Sequence, residues 1–430
     1  MKKKEYLFSG LLIRWSTLNQ PEKVVVFAFL LIPIWWLWGW RLLFFFLLLG
    51  IVVYEYRQQK KVDLKFPSLA ASSVILFGAY TLISVSVYAQ LSNFTLSKNS
   101  IFSPIDEWIC AGLILWYIQN KNIRVRLQVV AWSCSIIVLM MLVAWLIIYF
   151  GLQQAHFVPS RSIYGLLTDK GERFIPGLGN SNYLLPYFPT DKSLPGMVRY
   201  VYFFHGPESL ALFVGFICLL ALDIKNRLWS LLLFIASFFL LLTSGTRAVW
   251  VALPVVLFIR YFFQAAKLSG IWLLCVLIAI ISYTTLSIPA VTDLVLNRVT
   301  NTTDATGNLR RDSTEVRAKI YHRTYEAIIE DSDSLIFGHV LPGKTVLPGY
   351  APAMVGTHSF ILSSLLYRSG LVGTGIFFTY WISLLWWLYQ TRNTRPMCLL
   401  IFALFSLTFT TMEFETTVMP ISLICVMLDN

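Results

Sequence analysis

Isolated cationic side chains mark four short polar stretches that flank or interrupt long apolar runs. Arg199 comes just before one apolar run, Arg247 lies in a tight turn between two others, and Arg317 belongs to a polar segment further along. His358 begins the next apolar run, after a loop rich in Pro and Gly. Arginine can bind phosphate or carboxylate through its planar fork. A histidine, with an ordinary pKa of about 6.5, suits general base catalysis.

Each candidate has a structural alternative that the sequence leaves open. The stretch MVRYVYFFHGPESLALF adds His205 and Glu208 at the outer end of an apolar run, where ionisable groups are costly and are functional candidates by default. Arg199 could instead be an interfacial arginine that extends to lipid headgroups. Arg247 could bind loop carbonyls, and His358 could be a structural histidine with satisfied hydrogen bonds.

Composition places these residues in a membrane protein. Of the 430 residues, 57% are hydrophobic and 13% are charged, against about 25% charged in an average soluble domain. Apolar runs of 15 to 24 residues recur from end to end, and a helix needs about 20 to cross the hydrocarbon. The runs lack the alternation of barrel strands, and lipid cannot satisfy an open backbone. We predict an all-α, polytopic integral membrane protein of about twelve transmembrane helices, near residues 24–40, 41–54, 67–90, 104–119, 127–150, 205–222, 228–243, 248–263, 271–289, 370–389, 397–412 and 416–428.

The basic residues predict the orientation of these helices. Eighteen Lys and Arg residues fall in the N-terminal segment and in alternate loops, and such residues favour the cytoplasmic side. Both termini are therefore expected in the cytoplasm. The chain forms one membrane domain, 1–430, with extracytoplasmic loops at about 151–204 and 290–369. The first loop is rich in Gly, Pro and aromatic residues, which favours irregular backbone.

The second loop is expected to contain an amphipathic helix at about 313–330. Asp312 can cap this helix, and Glu315 completes a box-like start. Its apolar stripe consists of Val316, Ile320, Ala327 and Ile328. A neighbouring face carries Arg317, Tyr321 and Tyr325 at four-residue spacing. The helix could lie on the membrane and direct an arginine inward.

Other features exclude several classes of function. The net charge of +12 mostly reflects membrane topology, so nucleic acid is not an expected partner. Six widely spaced cysteines in apolar runs predict neither a disulfide framework nor a metal cluster. The N-terminal MKKKEYLFSGLLIRW has a short apolar stretch that ends at Arg14, which favours an interfacial amphipathic segment over a cleaved signal peptide.

The four stretches, in this order, resemble the O-antigen ligase and Wzy-type polysaccharide polymerase family. The similarity covers about residues 195–390, whereas the N-terminal third matches in hydropathy alone. Ser359 and Glu208 stand where the family usually has asparagine. The matching motifs are Arg199 with His205-Gly206-Pro207-Glu208, Thr243-Ser244-Gly245-Thr246-Arg247, Arg317 to Phe337-Gly338, and His358-Ser359.

The resemblance implies a GT-C-like glycosyltransferase at the outer face of the bacterial inner (plasma) membrane. Such enzymes transfer a glycan from undecaprenyl diphosphate to a lipid A core, a growing polysaccharide or a protein, without a metal or cofactor and with inversion. By this similarity His358 and Arg247 are the expected catalytic residues. Arg199, Arg317, His205 and Glu208 are expected to bind substrate.

Two alternatives to this function stay open. Asp331 and Asp333 could hold a divalent ion against diphosphate, although they follow the expected helix and suit its solvated end, so no metal site is assigned. A transporter or flippase of anionic or lipid-linked substrates could also place arginines in such a bundle. Membrane-midplane charges or broken helices in matching halves would support transport. The sequence shows neither, and the two long external loops favour an enzyme that acts on large substrates.

Overall fold

The computed structural model describes residues 7–10, 12–58, 65–92, 98–152, 159–168, 183–194, 197–265, 314–347, 353–392 and 394–429. The predicted helix at 271–289 and the start of the second loop, with Asp312, lie outside these residues. The described chain is mostly helical. Helices α1 to α16 are Gln20–Leu30, Ile32–Trp38, Leu43–Arg57, Leu69–Leu91, Lys98–Pro104, Ala111–Asn120, Leu127–Ile147, Ile163–Leu167, Pro207–Ala221, Arg227–Ser244, Arg247–Ala265, Thr314–Glu330, Ser332–Phe337, Arg368–Gln390, Pro396–Thr408 and Val418–Met427.

Several of these helices are long and apolar enough to cross a membrane. Three of them continue through wide π-helical turns at Ile105–Cys110, Ile148–Leu152 and Phe360–Tyr367. Helices α1 and α2 meet at a 56° bend, and they add a sixth span if the two are one broken helix. These helices are typical of a multi-pass membrane protein, and the count of twelve stays a prediction. The five long spans are Leu69–Leu91, Ile101–Asn120, Leu127–Leu152, Arg227–Ser244 and Phe360–Gln390.

Local sequence explains where the first helices begin and break. The Asn19 side chain accepts from the backbone of Glu22, whose carboxylate accepts from Asn19 in return, so α1 begins with a complete capping box. Pro33 lies in the first turn of α2. Because a proline cannot donate to the preceding turn, the helix breaks there.

Helix α9 is the centre of the bundle. Every residue from Pro207 to Ala221 except Glu208 is buried, as expected for a helix that is apolar on all sides and surrounded by protein. It packs against α7, α10, α11, α15 and α16. Its first turn therefore holds Glu208 and Ser209 at one end of the core.

Short strands depart from the all-α expectation. In the first loop, β6 (Tyr187–Leu194) pairs with β7 (Met197–Tyr200) as an antiparallel hairpin where irregular backbone was predicted. The hairpin packs on α10, and this tertiary contact decides its structure. In the described part of the N-terminal segment, Phe8–Ser9 and Leu12–Ile13 likewise pair as two short strands, and its interfacial position stays a prediction. The other paired strands are β1 (Phe8–Ser9) with β2 (Leu12–Ile13), β3 (Val125–Arg126) with β8 (Leu428–Asp429), and β4 (Ser160–Arg161) with β5 (Tyr183–Leu184).

Candidate functional site

Arg199 joins the first two predicted motifs. It lies in β7 and is only 7% exposed. Its Nη2 donates to Oε1 of Glu208 at 2.8 Å, and its Nε donates to the carbonyl oxygen of Ser244 at 3.1 Å. Arg199 is therefore a buried, ion-paired residue, and the interpretation that it extends to lipid headgroups is wrong.

The turn before Arg247 is fixed by close packing. Gly245 has a φ of 64°, and a Cβ at this position would lie 2.9 Å from the Cα of Ser193 and 3.2 Å from the Cγ of Arg199. The Thr246 hydroxyl donates to the carbonyl oxygen of Pro207 at 3.0 Å. Only glycine fits this turn. Arg247, the partly buried first residue of α11, is thereby held beside the Arg199 group.

His205 follows the hairpin and precedes α9. Burial and the positive charge of Arg41 lower the pKa of His205 to about 4, although the negative charge of Glu208 opposes this shift. The imidazole is therefore neutral at pH 7. If His205 binds substrate, as predicted, it does so as a neutral hydrogen-bonding group and not as a cation.

Hydrogen bonds hold both backbone polar groups of His358, its N–H and its carbonyl. Its φ of 71° lies in the left-handed region, which a non-glycine residue adopts at an energetic cost. The His358 N–H donates to Oε1 of Glu413 at 3.1 Å, and the Tyr321 hydroxyl donates to the His358 carbonyl at 3.0 Å. Such over-determined strain is typical of functional positions.

The contacts of Thr357 indicate which nitrogen of His358 carries the proton. The Thr357 hydroxyl donates to the carbonyl oxygen of Met354 at 2.6 Å and lies 2.8 Å from Nδ1 of His358. A hydroxyl has one proton to donate. Thr357 therefore accepts from Nδ1–H, and Nε2 is the proton-accepting nitrogen of the neutral ring, as a general base needs.

Helix α12, Thr314–Glu330, lies where the amphipathic helix of the second loop was predicted. Ile320 and Ile328 of its apolar stripe are buried. Nη1 of Arg317 donates to the carbonyl oxygen of Thr411 at 3.4 Å, and Tyr321 reaches His358. The third and fourth motifs therefore meet, through a helix that packs on the π-helical turn after His358.

Two carboxylates connect these groups. Residues 409–417, between α15 and α16, form a segment that we call the bridging turn. Glu413 accepts from His358 and, at 2.6 Å, from Nη2 of Arg368. Glu415 accepts from the Ser209 hydroxyl at 2.5 Å. The bridging turn thus touches the His358 group at one point and the first turn of α9 at another.

Glu415 is an acid whose pKa is far from its ordinary value. Burial and, to a smaller extent, the nearby negative charge of Glu208 raise its pKa to about 8. Glu415 is therefore largely protonated at neutral pH. The single negative charge of Glu208 is left to pair with Arg199.

The predicted Gly motif locks the second loop onto the bundle. Gly338 has a φ of 85°, and a Cβ there would lie 2.3 Å from the carbonyl oxygen of Arg368. Gly370 has a φ of 62°, and its Cβ would lie 2.5 Å from the Gly338 nitrogen. The Val340 N–H donates to the Arg368 carbonyl at 3.0 Å. Neither glycine can carry a side chain without moving the backbone.

Several acidic residues of this region were not predicted from the sequence. Glu107 lies in the π-helical turn Ile105–Cys110, within an apolar span, and lines a cleft together with Arg368 and Glu413. Counting the basic residues for topology left Glu107, Glu413 and Glu415 unconsidered. A carboxylate isolated in an apolar run is a functional candidate for the same reason as an arginine. The sequence alone could therefore have indicated these residues.

Asp331 has a local structural role. Its carboxylate accepts from the backbone of Asp333 at 3.3 Å and of Ser334 at 3.2 Å, and so caps α13. Among the described residues, no three His, Cys, Asp or Glu side chains are grouped to hold a metal ion. Five of the six cysteines are described, and they are buried and reduced.

The chain matches no known family model. A search of curated proteins found no match either.

Proposed function

We propose that the protein is a glycosyltransferase of the O-antigen ligase and Wzy-type polymerase type. It transfers a glycan from undecaprenyl diphosphate to a lipid or polysaccharide acceptor at the outer face of the bacterial inner membrane. The proposal includes twelve spans in a GT-C-like arrangement, with both termini in the cytoplasm. One observation carries it: the four motifs, separate in sequence, meet at one end of the bundle, where the bridging turn contacts both the His358 group and α9.

The arginines suit the departing diphosphate. Arg199 is fixed by Glu208, and Arg247 begins a helix whose N-terminus also favours an anion. Arg317 approaches from α12. Preorganised positive groups of this kind stabilise charge as it develops in the transition state, often the largest part of the rate enhancement. Because the guanidinium groups supply this charge, the proposed mechanism needs no metal.

His358 suits the acceptor side of the reaction. The acceptor hydroxyl oxygen attacks the anomeric carbon, and the bond from this carbon to the diphosphate oxygen breaks. The hydroxyl proton moves to Nε2 of His358, whose other nitrogen is held by Thr357. Undecaprenyl diphosphate leaves from the opposite side of the sugar, so the anomeric configuration inverts.

A single-turnover assay tests this proposal. Purified protein in lipid nanodiscs receives an undecaprenyl-diphosphate-linked oligosaccharide, a panel of oligosaccharide and lipid A core acceptors, and EDTA. We expect a glycosylated acceptor of inverted configuration and one undecaprenyl diphosphate released per transfer. Loss of transfer on adding EDTA would contradict the metal-independent mechanism. No transfer to any acceptor would contradict the enzyme assignment.

A transporter or flippase is the second candidate, and one observation favours it. Helices α1 and α2 meet at a 56° bend, as the two halves of a broken span or of a re-entrant loop do, and broken helices are common in transporters. Proteoliposomes that hold the lipid-linked oligosaccharide in one leaflet distinguish the two candidates. Protein-dependent movement between leaflets without transfer would support the transporter.

A further inference from the structure

An exposed apolar surface lies where α12 meets α13. The apolar stripe of α12 expected from the sequence packs against protein, since Ile320 and Ile328 are buried. Four other large apolar side chains near this corner are between 41% and 59% exposed, and we call them the corner patch: Tyr325, Ile329, Ile336 and Phe337. Exposed apolar patches mark contacts with lipid or with another protein.

The end of α13 lies at the level of a membrane-spanning helix. The Tyr80 hydroxyl is 2.8 Å from the carbonyl oxygen of Phe337 and donates to it. Tyr80 is the twelfth of the 23 residues of α4, a helix long and apolar enough to cross a membrane. The contact therefore places Phe337 beside the middle of this span and not beyond its end.

The lipid-facing surface of α4 continues past this level. From Thr81 to Leu91 the sequence contains no charged residue, and Ile83, Val87 and Leu91 are exposed. This part of the helix rises about 16 Å. Hydrocarbon that covers the exposed row of α4 therefore also reaches the level of the corner patch.

The exposed residues of α13 change character along the helix. Its first residues are polar, with Ser332 and Asp333 exposed, whereas Ile336 and Phe337 at its end are apolar and exposed. The helix is about 9 Å long. Over this length its surface changes from one that suits water to one that suits acyl chains.

The exposed charges of α12 lie on a row of the helix beside the corner patch. Lys319 pairs with Glu315 at 3.1 Å, and Arg323 pairs with Glu326 at 3.0 Å. A charged row next to an apolar one is typical of helices at the boundary between headgroups and acyl chains, where the apolar side is buried by about 5–10 Å. Tyrosine is also enriched at this boundary.

We propose that the corner patch is inserted among the acyl chains of the adjacent leaflet, and that this contact attaches the second loop to the membrane. The occupant of the patch is lipid, because the patch lies beside the lipid-facing row of α4. Tyr321 of α12 donates to the His358 carbonyl. The same attachment therefore fixes the helix that reaches the proposed base.

Depth-dependent fluorescence quenching tests the proposal. A genetically encoded coumarin amino acid replaces Phe337 or Ile336 in protein reconstituted at one copy per nanodisc. One quencher is phosphatidylcholine with a nitroxide on its acyl chain, and the other is iodide in the buffer. The ratio of acyl-chain to iodide quenching should match that of the same probe at Ile83, which is 62% exposed on α4. It should exceed by about threefold or more the ratio at Lys319, whose charged side chain is 60% exposed.

Two results would overturn the proposal. Iodide quenching at Phe337 and Ile336 as strong as at Lys319 would show that the patch faces water. Protection of both probes from both quenchers would show that protein covers the patch, and one copy per nanodisc excludes a second copy of the chain as this cover.

Phe337→Asp gives a measurement that needs no probe. A carboxylate among acyl chains is costly, so the Tm of the protein in nanodiscs should fall by several degrees. Ser332→Asp, at the exposed polar start of the same helix, is the matched control and should leave the Tm unchanged. An equal Tm for wild type and Phe337→Asp would contradict the insertion of α13.

Discussion

The two ends of the helical bundle use their charged residues differently. At one end, which we call the basic end, several described basic residues are tied to a nearby structural group. Arg126 binds both carboxylate oxygens of Glu22, at 2.6 and 2.7 Å. Arg260 of α11 pairs at 2.7 Å with Asp223, which lies in the turn between α9 and α10. These pairs close helix ends.

At the other end, which we call the site end, carboxylates connect distant elements. Glu413 joins His358 to Arg368, and Glu415 joins the bridging turn to Ser209. A cleft lies between the elements that they connect. The charged groups here line a cleft and also hold helices in position.

Backbone strain separates the two ends in the same way. Six non-glycine residues of the described chain have a positive φ: Trp40, Leu42, Asn122, Tyr202, Val340 and His358. All except Asn122 lie at the site end. Asparagine tolerates this conformation better than the others do. The site end therefore holds strained backbone that the rest of the fold must stabilise, which is a property of functional sites.

The largest expected effect concerns the side of the membrane on which each end lies. A reporter fused after Thr345 should be extracytoplasmic, and one fused after Asn393 should be cytoplasmic, because the basic residues favour the cytoplasm. The paired measurement is alkaline phosphatase and fluorescent-protein activity. Both reporters on the same side would break the comparison between the two ends.

The next effect concerns chemistry at the site end. His358→Ala should slow single-turnover transfer by roughly 10²- to 10⁴-fold, because a positioned base contributes about this much. Abundance and binding of the lipid diphosphate should stay near normal. His322→Ala, on the exposed face of α12, is the control and should leave the rate unchanged. If His358→Gln retains most of the wild-type rate, His358 orients substrate and moves no proton.

A smaller effect is expected for Arg247. Arg247→Lys keeps the charge and loses the planar fork, so transfer should fall about 10- to 100-fold, less than on removing a donor completely. Arg227→Lys changes the first residue of α10 at the basic end and should have no effect. Wild-type transfer rates in both variants would show that Arg247 has a structural role only.

The fourth prediction concerns the stability of the basic end. Glu22 is fully buried against Arg126, so Glu22→Gln should lower the free energy of unfolding by about 1–3 kcal/mol. Transfer per folded molecule should not change. Thermal unfolding in one detergent gives the stability, and the single-turnover rate gives the control. A slower transfer step in this variant would show that the two ends are coupled.

The smallest effect is a pH dependence at the site end. The pKa of Glu415 is raised from 4.5 to about 8 by burial and by Glu208, so its contribution to stability is present at low pH and is lost as the pH rises through this window. The Tm of the wild type, relative to the Tm of Glu415→Gln, should fall from pH 5 to pH 8. A constant difference in Tm would contradict the raised pKa.

Apolar periodicity and local end signals allowed part of this structure to be predicted. Long apolar runs without alternation gave most of the helices, because a membrane helix satisfies its own backbone whatever surrounds it. The amphipathic stripe through Ile320 and Ile328 gave α12 for a similar reason. The candidate residues Arg199 and His358 were found because a charge or imidazole beside hydrocarbon stands out in a sequence.

Other features depended on contacts between distant residues. The β6–β7 hairpin forms against α10, and its prolines and aromatic residues give no clear strand pattern. Glu415 and Ser209 are 206 residues apart, and neither residue type predicts the other.

The sequence by itself determined which segments are helical and which cationic groups could do chemistry, since both follow from local composition. Only the tertiary structure decided that Arg199 is buried against Glu208, that Glu413 holds His358, and that a cleft lies beside it. Burial and pairing depend on which side chains the packed helices bring within a few ångströms of each other. That information is distributed over the whole chain, and no single window of sequence contains it.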